Sequence, residues 1–426
     1  MKILISTVLG MLFLGGIIAQ PSFDKYFIPA SLRFDYILAG NSDSAFIFFQ
    51  RLKKEPYWGG PRTQLIDSFN FGDYMLKVKD VATGKLIYSH GYSDLFREWQ
   101  ATQEAKKLRK AFTETVIMPF PRKPVTIEIF KRKRDQRLYS LFKYIVDPAD
   151  IQINLDTLTG FTTEKIIDSG DPSEKVDIVF IPEGYTAGDM DKFKRDAKRF
   201  AGYLLSWSPF KENADKFNFW TVYAPSLDKG TDLPGQHIWN RTLVNSNFYT
   251  FGTERYLTSQ DVYTIRDVAA HVPYDQICIL VNTEKYGGGG IYNFYDLCTS
   301  DNVSSEFVFC HEFGHAFAGL ADEYVDPGLQ TASMYSLKAE PWEPNITTLV
   351  HFDRKWKGML LKGTPVPTPK SLNNENTLGV FEGAGYLEKG IYRPAMDCSM
   401  RSVKNNFFCP VCQQAIRNKI LSFTRQ

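Results

Sequence analysis

Histidine is scarce in this sequence, with six among 426 residues, and neither sign of charge is in excess. The 50 lysines and arginines are balanced by 48 aspartates and glutamates, which gives a net charge of +2. A protein that binds nucleic acid needs a concentrated basic surface to meet the phosphates. The even balance therefore argues against a nucleic-acid partner. Because histidine is rare, any close pair of histidines is informative.

Cysteine is absent before residue 278, so disulfides could cross-link only the second half of the chain. Cys409 and Cys412 form a CPVC motif, which is typical of redox pairs and of half a zinc ribbon. A ribbon needs a second close pair, and the sequence has none. We therefore expect a disulfide between Cys398 and one of these two cysteines, while the remaining connectivity stays open.

Long apolar runs are also lacking, except at the N-terminus. Lys2 precedes an apolar run over residues 3–18, and Ala19 follows it. A positive start, an apolar stretch and a small residue are typical of an export signal, so residues 1–19 are predicted to be a cleaved signal peptide. The alternative is a retained anchor, but the run is shorter than the roughly 20 residues that span a bilayer. We expect a periplasmic, cell-surface or secreted protein without a membrane span.

The chain length predicts at least two domains, at roughly 100–200 residues each. Residues 20–150 contain short segments in which apolar and polar residues alternate, separated by residues typical of turns. This pattern predicts an all-β sandwich. We expect this domain to bind or orient a protein or glycan partner. Residues 151–175 are polar around Gly170 and Pro172, and this stretch is interpreted as a linker.

Residues 176–426 have the pattern of an α/β (α+β) domain. Residues 177–182 (DIVFIP) and 277–281 (ICILV) are apolar runs typical of buried strands. Apolar residues at helical spacing follow the first run, between Phe193 and Leu205. Strands that alternate with helices predict a sheet covered by helices.

Two of the six histidines form the motif His311-Glu312-Phe313-Gly314-His315, a HEXXH. Residues four apart lie on one face of a helix, so both imidazoles can reach one metal ion. Zinc with three protein ligands keeps a fourth position for water and lowers the pKa of that water to about 7. Glu312 lies beside this position and can take the proton, then pass it to the leaving amine. The motif predicts a metalloprotease with one catalytic zinc ion per chain.

A third ligand is expected after the motif. Gly319 can end the helix and Asp322 can return to the metal, an order that resembles the layout of metzincin proteases. Both residues come one position later than that layout places them, so the choice of ligand stays open. Asp322 is the first choice, Glu323 the second and Glu340, by analogy with thermolysin-like enzymes, the third.

Residues 394–401 (PAMDCSMR) resemble the Met-turn of metzincins, in which a methionine lies beneath the metal and a C-terminal helix follows. Met400 is the preferred one of the two methionines in this stretch. The expected helix covers residues 415–421, and the disulfide from Cys398 would link the turn covalently to this helix.

A run of four glycines lies between the second buried strand and the HEXXH helix. No Lys-Ser or Lys-Thr follows the run, which excludes a P-loop. In zincins this position holds an edge strand that pairs with an extended substrate, and glycines would let a substrate backbone approach closely. A flexible surface loop is the alternative. The predicted substrate-binding residues are Gly287, Gly288, Gly289 and Gly290.

Five ordered blocks of this sequence resemble the bacterial IgA metallopeptidase-like family. The blocks are DIVFIPEGYT (177–186), YGGGG (286–290), HEFGHAFAGLADEY (311–324), VFEGAGYLEKGIYRP (380–394) and CSMR…FCPVC (398–412). The resemblance implies a zincin-like catalytic domain with a HEXXH helix and a Met-turn, preceded by a β-sandwich. It implies a zinc endopeptidase with His311 and His315 as ligands and Glu312 as the base, but it does not imply that IgA is the substrate.

The sequence therefore predicts an exported zinc-dependent endopeptidase that hydrolyses a protein or peptide substrate. Tyr324 and Tyr392 are candidate donors to the oxyanion of this reaction. The alternative is a catalytically weak zincin-fold module that binds an extracellular protein or glycan, and the intact Glu312 argues against it. A zinc hydrolase of non-peptide amides is a third hypothesis, which the glycine-rich strand disfavours.

Overall fold

The computed structural model describes residues 20–156, 159–326, 328–329, 334–404 and 406–424. The predicted signal peptide, residues 1–19, lies outside these residues. The described part has mixed α and β content arranged around four sheets. None of the helices found there is long and apolar enough to cross a membrane.

The N-terminal part is rich in β-strands, as predicted. Its strands are Phe27–Gly40 (β1), Ala45–Glu55 (β2), Tyr74–Asp80 (β3), Leu86–Tyr92 (β4), Lys110–Pro121 (β5), Val125–Arg132 (β6) and Leu138–Val146 (β7). They form two antiparallel sheets, in the orders β2-β1-β5 and β4-β3-β6-β7. Two short helices accompany them, Phe23–Tyr26 (α1) and Leu95–Trp99 (α2).

Aromatic side chains pack between these two sheets. The rings of Phe34 in β1 and Phe142 in β7 have centroids 5.7 Å apart. The hydroxyl oxygens of Tyr36 in β1 and Tyr92 in β4 are 2.9 Å apart. Buried and half-buried residues alternate along most of β6, because successive side chains of a strand point to opposite faces. One face of each sheet therefore contributes to a common apolar core.

A six-stranded sheet organises the second half of the chain. Its strands are Thr162–Ile167 (β8), Val176–Glu183 (β9), Phe217–Tyr223 (β10), Gln276–Val281 (β11), Gly288–Ile291 (β12) and Tyr295–Thr299 (β13). The order across the sheet is β12-β13-β11-β9-β10-β8. The four inner strands run parallel, and β12 and β8 are antiparallel edge strands. Both β9 and β11 are buried throughout, which explains their nearly continuous apolar sequences.

Strand β8 lies inside residues 151–175, which the sequence predicts to be a linker. It pairs antiparallel with β10, for example at Glu164 and Thr221. Its residues are half-buried or exposed because it is an edge strand, so it lacks the apolar run that marks β9 and β11. The six-stranded sheet consequently begins before the predicted domain boundary at residue 176.

Helices pack on this sheet and connect its strands. They are Met190–Ser206 (α3), Val262–Ala269 (α4), Ser305–Ala318 (α5) and Pro410–Thr424 (α6), and a two-stranded sheet of Phe381–Ala384 (β14) and Leu387–Arg393 (β15) precedes α6. The rings of Phe200 in α3 and Phe309 in α5 are 5.1 Å apart. On another side of α5, Phe317 stacks at 6.0 Å on Phe423 of α6. Helix α5, which carries the HEXXH motif, is therefore held between α3 and α6.

A buried arginine links the N-terminal sheets to the second half of the chain. The Arg33 guanidinium in β1 is 2.8 Å from Asp35 and 3.3 Å from Glu55, and both carboxylates are buried. The same guanidinium is 2.7 Å from Asp267 of α4. Charges taken out of water need partners of opposite sign, so Arg33 compensates carboxylates from both parts of the chain.

We predict that Arg33→Met destabilises the protein, because Glu55 stays buried without the guanidinium and Asp35 keeps only the partly exposed Arg51 as its cation. The expected loss is about 3–5 kcal/mol, the usual result of removing one partner from a buried ion pair. Urea unfolding measures it, with Arg137→Met as the control, since the Arg137 side chain is 84% exposed beside Asp135. Equal unfolding midpoints for the two variants would contradict a structural role of Arg33.

Candidate metal centre

Helix α5 presents the HEXXH side chains toward one cavity. His311 and His315 are one helical turn apart, and their ring centroids are 4.7 Å from each other. The helix ends at Gly319, whose φ of +64° is the left-handed conformation that glycine adopts without strain. The Gly319 N–H donates to the His315 carbonyl at 3.0 Å. The chain can therefore reverse and bring residues 320–322 back toward the histidines.

Hydrogen bonds to backbone carbonyls orient both imidazoles. His311 Nδ1 is 2.9 Å from the Ser399 carbonyl oxygen, and His315 Nδ1 is 2.6 Å from the Leu320 carbonyl oxygen. A carbonyl oxygen only accepts, so each Nδ1 carries a hydrogen, and Nε2 is the atom that can offer a lone pair to a metal once it is deprotonated. The two Nε2 atoms are 3.1 Å apart. This tautomer and orientation are typical of histidines that bind a metal.

Asp322 completes a triangle of donor atoms. Its Oδ1 is 3.2 Å from His311 Nε2 and 3.4 Å from His315 Nε2. The other oxygen, Oδ2, accepts a hydrogen bond of 2.6 Å from the Tyr386 hydroxyl. Tetrahedral zinc with bonds of about 2.0–2.1 Å places neighbouring donors about 3.3 Å apart. The three distances observed here fit that spacing, so these residues could hold a zinc ion.

The electrostatics of the triangle also favour a cation. Burial opposes the charge on Asp322, but the two neighbouring imidazoles hold the pKa of its carboxyl well below the usual value. Burial likewise lowers the pKa of His315, yet the nearby Asp322 carboxylate raises it to about 9. Both shifts have one cause, which is an ionised carboxylate buried among nitrogen donors. A divalent cation would supply the positive charge that this cluster attracts.

Glu312 lies beside the donor triangle without being part of it. One of its carboxylate oxygens is within 4.8 Å of ligand atoms of both histidines. Burial raises the pKa of this carboxyl, and the histidines oppose the shift. Glu312 lines a cavity of about 560 Å³, together with His311, His315 and Asp322. The carboxylate is therefore placed to exchange protons with a molecule bound in the cavity.

The two other candidates for the third ligand lie elsewhere. Glu323 is fully buried, and its Oε1 accepts a hydrogen bond of 2.9 Å from Asn345 Nδ2. Glu340 accepts from the His351 backbone N–H at 2.9 Å and is 4.0 Å from Lys355 Nζ. Of the three, the structure brings Asp322 alone to the histidines. The geometry thus favours the first choice made from the sequence.

The predicted Met-turn packs against α5. Met400 is fully buried, and a Cβ added to Gly314 would lie 3.1 Å from its sulfur, so glycine allows this close approach. The Met400 carbonyl accepts a hydrogen bond of 2.7 Å from the Glu323 N–H. Its neighbour Ser399 accepts from His311. The turn therefore supports both the helix and the segment that carries Asp322.

The glycine run forms the edge strand β12 and the residue before it. A Cβ on Gly290 would lie 2.4 Å from the Glu312 backbone oxygen, and one on Gly288 would lie 2.7 Å from Val308. On the opposite face, Gly287 and Gly289 approach the segment 248–257 as closely. The glycines are thus explained by close packing within the chain, which sets α5 directly on the edge strand. Substrate binding at Gly287–Gly290 stays a prediction.

Sequence reasoning missed the side chain that supports Asp322. Tyr386 is 64 residues away in the chain and lies in the turn between β14 and β15. The motif gives no signal for it, because a lone tyrosine in a hairpin has no characteristic spacing. Of the two tyrosines proposed as oxyanion donors, Tyr324 lines the cavity, whereas Tyr392 is not among the described residues that line it.

Comparison with known protein families identifies the class. A family model described as IgA Peptidase M64 matches residues 165–377 and 372–420. A second model, described as Peptidase M64 N-terminus, matches residues 22–143. A search of curated proteins found no significant match. The matched class is a metallopeptidase, which agrees with the resemblance seen in the sequence. The chain belongs to the IgA peptidase M64 family.

We predict that Asp322→Asn weakens zinc binding by at least about a hundredfold, because loss of an outer partner alone typically costs about 10–100-fold. The amide keeps the shape of the side chain but removes its negative charge. Competition with a chromophoric chelator measures the affinity, and Glu340→Gln serves as the control. Unchanged affinity in Asp322→Asn would mean that the third ligand lies elsewhere.

Proposed function

We propose that this protein is an exported zinc-dependent endopeptidase with a zincin-like catalytic domain. The observation that carries the proposal is the convergence of His311 Nε2, His315 Nε2 and Asp322 Oδ1 beside the Glu312 carboxylate. Family membership supports peptide hydrolysis with a metal. The apolar N-terminal sequence supports export.

The protein side chains have separate roles in the proposed reaction. Zinc held by the three ligands would supply Lewis acidity that polarises water and the scissile carbonyl. Glu312 accepts the proton of the attacking water and delivers it to the leaving amine. Burial of this carboxyl favours its protonated form, so it can hold the proton between the two transfers.

The cavity suits a peptide that lies along the edge strand. Gly288 already uses its N–H and carbonyl groups, because it donates to Arg255 at 3.3 Å and accepts from Leu257 at 3.1 Å. Gly290 lies two residues further along β12, so its N–H and carbonyl groups also point away from β13. It lines the cavity as well. An extended substrate would therefore pair beyond Gly288, at Gly290.

The N-terminal β region also contributes to this cavity. Asp73, Ser93 and Glu98 are among its lining residues, and Glu98 accepts a hydrogen bond of 2.7 Å from Tyr256. We infer that the β region helps to define substrate specificity by forming one wall of the cleft. A separate protein or glycan partner at this region stays a prediction.

We predict that Glu312→Gln binds zinc normally but cleaves peptides about 10²–10⁴-fold more slowly, since general acid–base catalysis contributes roughly this factor. The ligands are unchanged, while the amide cannot accept the proton. Mass spectrometry of a diverse peptide library measures cleavage, and zinc analysis measures binding.

The matched control for this variant is Glu306→Gln on the same helix. Glu306 accepts a hydrogen bond of 2.9 Å from Trp207, which a glutamine oxygen can still accept. Its cleavage rate is expected to equal that of the unmodified protein. Full activity of Glu312→Gln would reject the proposed role of Glu312, and cleavage by neither variant nor parent would favour a binding module.

We also predict that Tyr324→Phe lowers kcat by about 10²–10³-fold, the usual effect of removing one oxyanion donor. The Tyr324 hydroxyl accepts from Arg255 Nη2 at 3.3 Å and lines the cavity, so its own hydrogen is available to a substrate oxygen. Steady-state kinetics on a cleaved library peptide provides the test, with Tyr392→Phe as the control. A change in KM alone would indicate substrate binding rather than oxyanion stabilisation.

A further inference from the structure

A second cluster of side chains that could hold a metal includes Glu323, the residue after Asp322. It consists of Glu323, Cys398, Cys409 and Cys412, and we call it the thiol cluster. One ligand atom from each residue lies within 4.8 Å of all the others, and all four residues are fully buried. The expected disulfide is not formed, since all six cysteines, each of them described, are free.

The distances within the thiol cluster match a tetrahedral zinc site. Cys398 Sγ and Cys412 Sγ are 3.8 Å apart, and Cys412 Sγ is 3.3 Å from Glu323 Oε1. Zinc bonds of about 2.3 Å to sulfur and 2.0–2.2 Å to oxygen predict spacings of about 3.8 Å and 3.5 Å. Three thiolates and one carboxylate also make a complete set of four ligands, as closed structural sites require.

Glu323 provides an independent indication of a missing cation. Its Oε2 is buried and has no hydrogen-bond partner among the described residues. No lysine or arginine of the described chain forms a salt bridge with this carboxylate within 4.0 Å. A buried carboxylate without a cationic partner is costly, and a metal bound to Glu323 would neutralise its charge.

A backbone N–H and a helix N-terminus lie close to sulfurs of the thiol cluster. The Cys409 backbone N–H donates to Cys398 Sγ at 3.3 Å, a bond that stabilises negative charge on sulfur. Helix α6 begins at Pro410, so Cys409 and Cys412 lie at its N-terminal end, where the helix dipole favours anions. Both features would stabilise the thiolates of a metal-bound cluster.

We propose that the thiol cluster binds a second zinc ion with a structural role. The four side chains would enclose it and leave no position for water, while the bound thiols release their protons to solvent. Glu323 directly follows Asp322, and Cys398 directly precedes Ser399, which accepts from His311. The ion would therefore fix α6, the Met-turn and the segment of the third catalytic ligand to one another.

A disulfide is the competing interpretation of these cysteines. The S–S bond is about 2.0 Å long, so two sulfurs at 3.8 Å would have to approach each other. Any disulfide within the cluster would leave one thiol unpaired and would leave the buried Glu323 without a cation. Zinc uses all four side chains, and for this reason we favour it.

The test uses the full chain with the double substitution His311→Ala/His315→Ala, which removes catalytic zinc ligands. We expect this variant to retain one zinc ion, with X-ray absorption showing sulfur neighbours at about 2.3 Å. The parent protein is expected to contain two zinc ions. A double variant that is folded by circular dichroism yet free of zinc would overturn the proposal.

A second measurement keeps the test decisive if cysteine variants fold poorly. Mass spectrometry of the non-reduced parent, after zinc removal in denaturant, is expected to show three free thiols in the cluster. A disulfide among Cys398, Cys409 and Cys412 would overturn the proposal.

A pair of cysteine variants completes the design. Cys398→Ser/Cys412→Ser should lose one zinc ion. Cys298→Ser should keep both, because this buried thiol donates only to backbone carbonyls. No step of the test depends on peptide cleavage, so an inactive protein would leave the inference intact.

Discussion

The lone pairs on Nε2 of His311 and His315 point into the same small volume, and the rest of the site depends on this constraint. Two backbone carbonyls hold the imidazoles in that orientation by accepting from Nδ1. Without a metal, a proton on His315 compensates the charge of the Asp322 carboxylate, which is why the pKa of His315 is raised. A bound cation would replace that proton and join all three donor atoms. The fold therefore keeps an arrangement that favours positive charge at its centre.

Segments distant in sequence maintain this arrangement. The predicted Met-turn supplies the carbonyl that orients His311, and a second carbonyl of the same segment accepts from Glu323. The β14–β15 hairpin supplies Tyr386, which fixes Asp322. The proposed second zinc ion would also connect the predicted Met-turn to the segment that carries Asp322. In this account the two metal sites share one supporting framework, because consecutive residues, Asp322 and Glu323, each contribute a ligand to one of them.

The sequence predicted the parts of the site that local spacing determines. A four-residue interval on a helix is sufficient to pair His311 with His315, and a helix-ending glycine is sufficient to return Asp322. Contacts that depend on tertiary packing could not be predicted in this way. The sequence predicts a linker where β8 lies, because edge strands lack apolar runs. Sequence spacing does not reveal the thiol cluster, because its fourth member is a glutamate, not a cysteine, and its members come from three separate segments.

The most direct test of this account is a crystal structure of the full chain grown with zinc, with anomalous data collected at the zinc absorption edge. The account predicts an anomalous peak at about 2.0–2.2 Å from His311 Nε2, His315 Nε2 and Asp322 Oδ1. A peak coordinated through Nδ1, or the absence of any peak between the two Nε2 atoms, would contradict the central claim that these lone pairs converge to hold the catalytic metal.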